Sequence, residues 1–314
     1  DTSEFGQGKV AVSARPLEGG AIAIAADLKQ ASLSVKDLGI SKPAGQDGVV
    51  KATVRQKGDV TDISNLDLGF GEVRLKGSME VDAKKGLRSA EFTSFALSDG
   101  DAAQLSLTPI KDGFAVRIRG DQLDLKPLLK RFFDLNQGSG GPQATSFTQT
   151  IALDVELARA LGMYKTNAYN LNLDLALRGS DLRNVNLQAQ LGGNRSVSVA
   201  TNASGNGRTM TVVFNDLGSV LRLVGVYAQV QGGEGSFVLQ QTNGSDVGKG
   251  TIRLKNFAIV DEANVAAILD GHPDSRRLIR SSNTLAFNSA KADFVRRVDR
   301  IQIVDAVVTG DSIG

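Results

Sequence analysis

The chain contains no cysteine and no tryptophan, one histidine, three tyrosines and six prolines among 314 residues. Without cysteine there are no disulfides, thiolate metal sites or cysteine nucleophiles. Any catalytic triad would have to use His272, which sits beside Pro273 in DGHPDS and reads as a surface-loop residue. No apolar run approaches the length of a membrane-spanning helix, and the opening DTSEFGQGK does not have the form of a signal peptide. The net charge is +2, with acids and bases interspersed. That is not the basic, aromatic-studded face of a nucleic-acid binder.

What is abundant is glycine, at 35 residues, together with Val, Leu, Ile and Ala. Many glycines with few prolines suit tight turns between short strands. Short segments alternate apolar and polar residues, the strand period of two. The longest alternation is Tyr169, Leu171, Leu173, Leu175, Leu177; Ile151, Leu153 and Val155 lead into it, and Val185, Leu187 and Leu191 repeat it. Phe114, Val116 and Ile118 follow the turn PIKDGF, whose Asp112-Gly113 is a hairpin signal. Phe237 and Leu239, and then Ile252 and Leu254, alternate in two runs introduced by glycines.

Three segments have helical spacing. Leu125, Leu128, Leu129, Phe132 and Phe133 form one stripe, with Pro127 in the first turn. Leu217, Val220, Leu221 and Val224 form a second, with Asp216 as cap and Gly225 as stop. Val265, Ile268 and Leu269 follow Asp261 as a third. In all, roughly twenty strands and three or four short helices are expected, with no fixed repeat length. The Gly/Ser-rich stretch 136–147 reads as an exposed loop between segments 1–135 and 148–314 of one continuous domain. The strand-like ending VVTGDSIG reads as a cut within a longer protein.

Several local motifs fail as chemistry. GSDVGKGT lacks the spacing of a phosphate-binding loop, since three residues separate Gly244 and Gly248 and Gly250 follows Lys249. SDGDAA and DLDL lack the spaced ligands of a calcium loop. Arg119-Gly120-Asp121 reads as a chance turn at a strand end. Asn194, Asn202 and Asn243 head Asn-x-Ser sequons, relevant only in a eukaryotic secretory setting. No catalytic residue, metal site or cofactor is expected. With one apolar face per strand, the sheet needs cover. A closed sandwich supplies it, and so does a long sheet that curls into an apolar trough with something inside.

The runs DLGSVLRLVGVYAQVQGGEGSFVLQ and GKGTIRLKNFAIVDEANVAAIL resemble the carboxy-terminal part of the AsmA-like superfamily of large bacterial envelope proteins, the group of AsmA, TamB and YhdP. The matching features are Asp216 with its helix, Gly232-Gly233, and Gly250 with Ile252, Leu254 and Phe257. Upstream, ADLKQASLSVKDLGISKPAG and VRIRGDQLDLKPLL are similar to alphaproteobacterial YhdP-type members. The resemblance implies a mainly β fold: a long, strongly curved, largely antiparallel sheet forming an open apolar groove, with a few short helices. It implies phospholipid transport through the periplasm, with inner and outer membranes contacted by parts beyond this chain, an inner-membrane anchor among them. The expected partner is phospholipid, with no nucleic acid, and the expected state is a monomer. The groove lining would be Val116, Ile118, Leu171, Leu173, Leu175, Leu177, Val185, Leu187, Leu191, Phe237, Leu239, Ile252 and Leu254. The alternative is a closed β-sandwich scaffold that binds a protein or polysaccharide in the envelope.

Overall fold

The computed structural model describes residues 6–35, 40–133, 149–178, 181–243, 245, 247–262, 284–297 and 300–310. The described elements begin β1 (Gly6–Gly8), β2 (Ala11–Pro16), β3 (Ala21–Asp27), β4 (Ala31–Val35), β5 (Ile40–Lys42), β6 (Gly48–Lys57) and β7 (Val60–Phe70). Next come β8 (Val73–Asp82), β9 (Gly86–Ala96), β10 (Ala102–Ile110), β11 (Gly113–Asp124), α1 (Lys126–Phe133), β12 (Thr150–Leu161) and β13 (Asn167–Arg178). The chain closes with β14 (Asp181–Gln190), β15 (Ser196–Ser204), β16 (Gly207–Phe214), α2 (Leu217–Val224), β17 (Val230–Thr242), β18 (Gly248–Val260), β19 (Thr284–Arg296) and β20 (Ile301–Thr309). The fold is mainly β, as expected. The third expected helix and the loop at 136–147 lie outside the described residues.

Strands β1, β4 and β5 form a small sheet. The other seventeen belong to one large, mostly antiparallel sheet. Every residue of β2 and of β20 is exposed, and their registered neighbours are β3 and β19 respectively. These are edge strands, and the sheet is not closed into a barrel. The chain divides into two compact units, residues 1–131, 144–161 and 172–183, and residues 132–143, 162–171 and 184–314.

In the first unit, antiparallel pairings carry the ladder from β2 and β3 through β6, β7, β8, β9 and β10 to β11, all between consecutive strands except β3 and β6, whose connection holds β4 and β5. The expected hairpin at Asp112 is there, with Ile110 opposite Gly113. Then comes the exception: β11 and β12 are parallel. A parallel neighbour needs a crossover rather than a hairpin, and α1 lies in that connection. Asp124, buried at the end of β11, accepts the backbone N–H of Lys126 at 2.8 Å and the Ser98 hydroxyl at 3.1 Å. Leu125 N–H donates to Leu161 O at 2.9 Å, tying the start of α1 to the end of β12. Leu128 and Leu129 of the predicted stripe are half-buried, while Lys130 is exposed.

Two strands contain an extra residue that keeps their apolar side chains on one face. Asn65 adopts φ 49° inside β7, and the pairing with β8 shifts between Ile63 and Leu66. Asn tolerates this left-handed conformation better than most residues. Ile63 and Leu66, three apart, thereby pair with Met79 and Gly77 on the same face. Phe92 and Phe95 of β9 do the same through a shift opposite Lys76 and Gly77.

At the end of β5, in the small sheet, Lys42 is 1% exposed. Its ammonium donates to Leu28 O at 2.6 Å, Ala31 O at 2.7 Å and Pro43 O at 3.3 Å. Three donors meet three carbonyls, so the buried head is satisfied without a counter-ion.

In the second unit an antiparallel ladder runs β14–β15–β16–β17–β18–β19–β20. Helix α2 links β16 to β17 and matches its sequence signature. Asp216 caps it, accepting Ser219 N–H at 2.9 Å and the Ser219 hydroxyl at 2.9 Å, and Gly225 ends it at φ 81°. Arg222 donates to Val230 O at 2.8 Å, and Arg195 approaches Asp216 at 3.7 Å. This polar cluster fixes the turn between β16 and β17 to the preceding hairpin.

Candidate functional site: the apolar sheet face

Cross-strand partners in a ladder point to the same face, so the registers convert single-strand alternation into rows. In the second unit one row reads Leu187, Val199, Val212, Phe237, Ile252, Ala292, Ala306. Beside it on the same face runs Ala189, Val197, Phe214, Gly235, Leu254, Ala290, Val308. On the other side lies Thr201, Met210, Leu239, Gly250, Phe294, Ile303. The intervening rows show the opposite face: Gln188, Ser198, Val213, Ser236, Arg253, Lys291, Val307, and Asn186, Ala200, Thr211, Val238, Thr251, Asp293, Asp305. One face is therefore aliphatic and aromatic across seven strands, and the other is largely polar.

The first unit repeats the pattern. One row reads Val12, Ala26, Val50, Leu68, Leu75, Phe95, Ala103, Gly120, Leu157. A second reads Pro16, Ile22, Val54, Ile63, Met79, Ala90, Leu107, Val116, Leu153. Ile118 lies between Leu105 and Val155. Its polar face carries the ion pairs. Arg119 meets Asp154 at 2.6 Å and Glu156 at 3.1 Å, and Arg117 meets Asp154 at 3.2 Å. These guanidinium hydrogen bonds, Arg119's first, hold the Asp154 carboxyl below its usual range.

The predicted lining residues are thus placed as follows. Val185 and Leu187 share one face of β14, and Leu187, Phe237, Leu239, Ile252 and Leu254 share the registered apolar face of the second unit. Val116 and Ile118 are on the apolar face of the first. Leu171, Leu173, Leu175 and Leu177 alternate along β13, with Leu171 buried and the others half-buried. Leu191 is buried just past the end of β14. The alternation does not extend back to Tyr169. Asn170 has φ 48°, Tyr169 is 36% exposed and Ala168 is 2% exposed, so the inward position before Leu171 is Ala168.

Sequence reasoning passed over Val197, Val199, Val212, Phe214 and Phe294. The alternations Val197–Val199 and Val212–Phe214 were available as signals. Phe294 was not, because its place depends on packing. Its ring stacks on Phe237 with centroids 5.1 Å apart and lies across Gly250, where any Cβ would strike it. Phe257 and Phe287 make a second stack at 4.8 Å.

Coverage decides what such a face can do. Leu187, Val199, Val212, Met210, Phe237, Ile252, Leu254 and Ala292 are half-buried. Val197, Phe214, Leu239 and Phe294 are buried. Towards the edges exposure rises to 63% at Val12 and 64% at Ile303. The shared interior of a two-layer sandwich would bury nearly all of these. The second unit also has a hollow, lined by Glu234, Ser236, Arg253, Lys255 and Lys291 together with Val213, Phe214, Leu254, Ala290 and Val307. It is wide and open to solvent, its charges are of both signs, and Lys291 is paired with Asp293 at 3.2 Å. It gathers no convergent set of groups.

Among the described residues no group of three or more His, Asp or Glu is placed to hold a metal ion, and no helix is long and apolar enough to cross a membrane. Comparison with protein-family models, with curated proteins and with solved structures finds no match.

Proposed function

We propose that this chain is a section of an AsmA-like envelope protein, and that its apolar sheet face carries the acyl chains of phospholipids through the periplasm between inner and outer membranes. The observation that supports this reading most is the pair of long apolar rows in each unit, uninterrupted by an ionisable side chain and left half-accessible. An apolar face of that extent is costly in water and calls for an apolar occupant. Acyl chains laid on it gain about 0.8 kcal/mol per buried CH₂. Aliphatic side chains offer no hydrogen bonds to hold a lipid at one position, which favours sliding along the rows. In this proposal the sheet curves so that the apolar face lines a groove, and membrane contacts and anchoring come from other parts of the protein.

The test is direct. Protein purified from bacteria without harsh detergent should carry phospholipid, detected by native mass spectrometry. A photo-crosslinker at Ile252 should label that lipid, and one at Arg253, on the opposite face, should not. Delipidated protein that takes up no labelled phospholipid, or equal labelling from both positions, would refute the proposal.

A further inference from the structure

The large sheet ends in two edge strands of different make-up. β2 is six residues long and carries Arg15 and Pro16; a cation and a proline both discourage a further strand from adding. β20 is nine residues long, IQIVDAVVT, without lysine, arginine or proline. All nine are exposed, and Ile301, Ile303, Val304 and Val307 are each more than half exposed. Asp305 is its one ionisable residue. Such an edge, long and rich in β-branched residues, is a template for another strand.

An irregularity narrows what fits it. The nine residues of β20 run opposite eight of β19, residues 289–296, with the extra residue at Val304. The registers put Ile301, Ile303, Ala306 and Val308 on the apolar face and Gln302, Asp305 and Val307 on the other. Val304 lines a hollow with Val238, Thr251 and Asp293, which places it on the polar side as well. A regular strand laid on this edge would fall out of alternation at the extra residue. A second β20, running antiparallel about a point between Val304 and Asp305, would not. It sets Ile301 against Val308 and Ile303 against Ala306 on the apolar face. On the polar face it sets Gln302 against Val307 and Val304 against Asp305. Every pair keeps to one face, and Asp305 meets a valine rather than its own copy.

We infer that two copies of this chain associate through β20, antiparallel and about a twofold axis, so that the apolar face of one second unit continues into that of the other. The inference does not depend on what that face carries, and it departs from the monomer that the resemblance implies. The contact is isologous, so it closes at two copies. Residues 301–308 of each copy make an edge about 27 Å long, and about 10 Å thick through its side chains. Pairing it removes on the order of 1,000 Å² from water in total, the lower end for a specific interface. The expected dissociation constant is therefore micromolar rather than nanomolar.

Sedimentation equilibrium of the full chain is the test. Wild-type protein is expected to pass from monomer to dimer over the micromolar range. Val304→Glu puts a carboxylate opposite Asp305 of the second copy, twice per dimer, and should weaken association roughly tenfold or more. Val304→Lys puts a cation there and should hold association at the wild-type level or above it. Mixing V304E chains with D305K chains should restore the dimer, because the two new charges then lie opposite each other. That recovery also shows that the V304E chain is folded. Wild-type protein that stays monomeric throughout the micromolar range would overturn the inference. So would a dimer that V304E leaves undiminished, since its contact would lie elsewhere. Equal weakening by V304E and V304K, with no recovery on mixing, would overturn the pairing about residues 304 and 305. Growth into larger oligomers would mark an open, head-to-tail contact and overturn the twofold arrangement.

Discussion

Replacing Ile252 by aspartate separates a face that stays accessible from one sealed by protein. Ile252 is half-buried, in register with Phe237 on one side and Ala292 on the other. Full burial of an isoleucine contributes about 1.5–3 kcal/mol, so half of that, about 1 kcal/mol, is lost on replacement. The new carboxylate keeps water on its open side and avoids the penalty of a buried charge. The expected melting shift is about 2–4 °C for a cooperative unit of this size. Were the face covered, the same carboxylate would be desolvated without a partner, at several kcal/mol, and the unit would fail to fold. Lipid reads the change differently. An acyl chain passing Ile252→Asp must strip the carboxylate of water, and a penalty of about 3 kcal/mol corresponds to about a hundredfold loss in affinity. Calorimetry and labelled-phospholipid uptake measure both quantities on one sample. Ser236→Asp, on the polar face opposite Arg253, is the control and should change neither. A folded Ile252→Asp variant with undiminished uptake would refute the reasoning, and so would a variant that cannot fold.

Three further outcomes follow from the same physics. Lys42→Met should destabilise the small sheet by about 2–4 kcal/mol, because three buried carbonyls lose their donor; limited proteolysis should then cut between residues 28 and 47 while the large sheet stays intact. Asp216→Ala should cost about 1–2 kcal/mol, through loss of the cap on Ser219 N–H, seen as a lowered melting temperature that Asp216→Asn partly restores. The Asp154 carboxyl is held low by Arg119 and Arg117, so its contribution is complete above the unfolded carboxylate range of about 3.9. It is lost as pH falls through the lower folded value. Arg119→Gln should therefore lower stability at neutral pH by a small amount, because these pairs are partly exposed, leave stability at the acid extreme unchanged, and so flatten the acid limb of the stability–pH curve below about pH 4.

Much of the architecture was legible in residue order, and the places where it was not have identifiable causes. Helix α2 was readable from Asp216, the stripe Leu217–Val224 and Gly225, because capping and periodicity are local. The spacing of three between Ile63 and Leu66, or between Phe92 and Phe95, matches neither strand nor helix until a shifted register is known. The parallel pairing of β11 with β12 could not be read either, since nothing in Phe114–Ile118 or Ile151–Val155 records the direction of a neighbour.

By itself the sequence determined that Phe237, Leu239, Ile252 and Leu254 would show one face and Ser236, Arg253 and Lys255 the other, because opposite-facing side chains are a property of any extended backbone. Only the tertiary structure decided which rows those residues join and how much of the apolar face is left accessible. Register and coverage are set by segments distant in the chain, and no local pattern carries information about what is hydrogen-bonded beside it or packed above it.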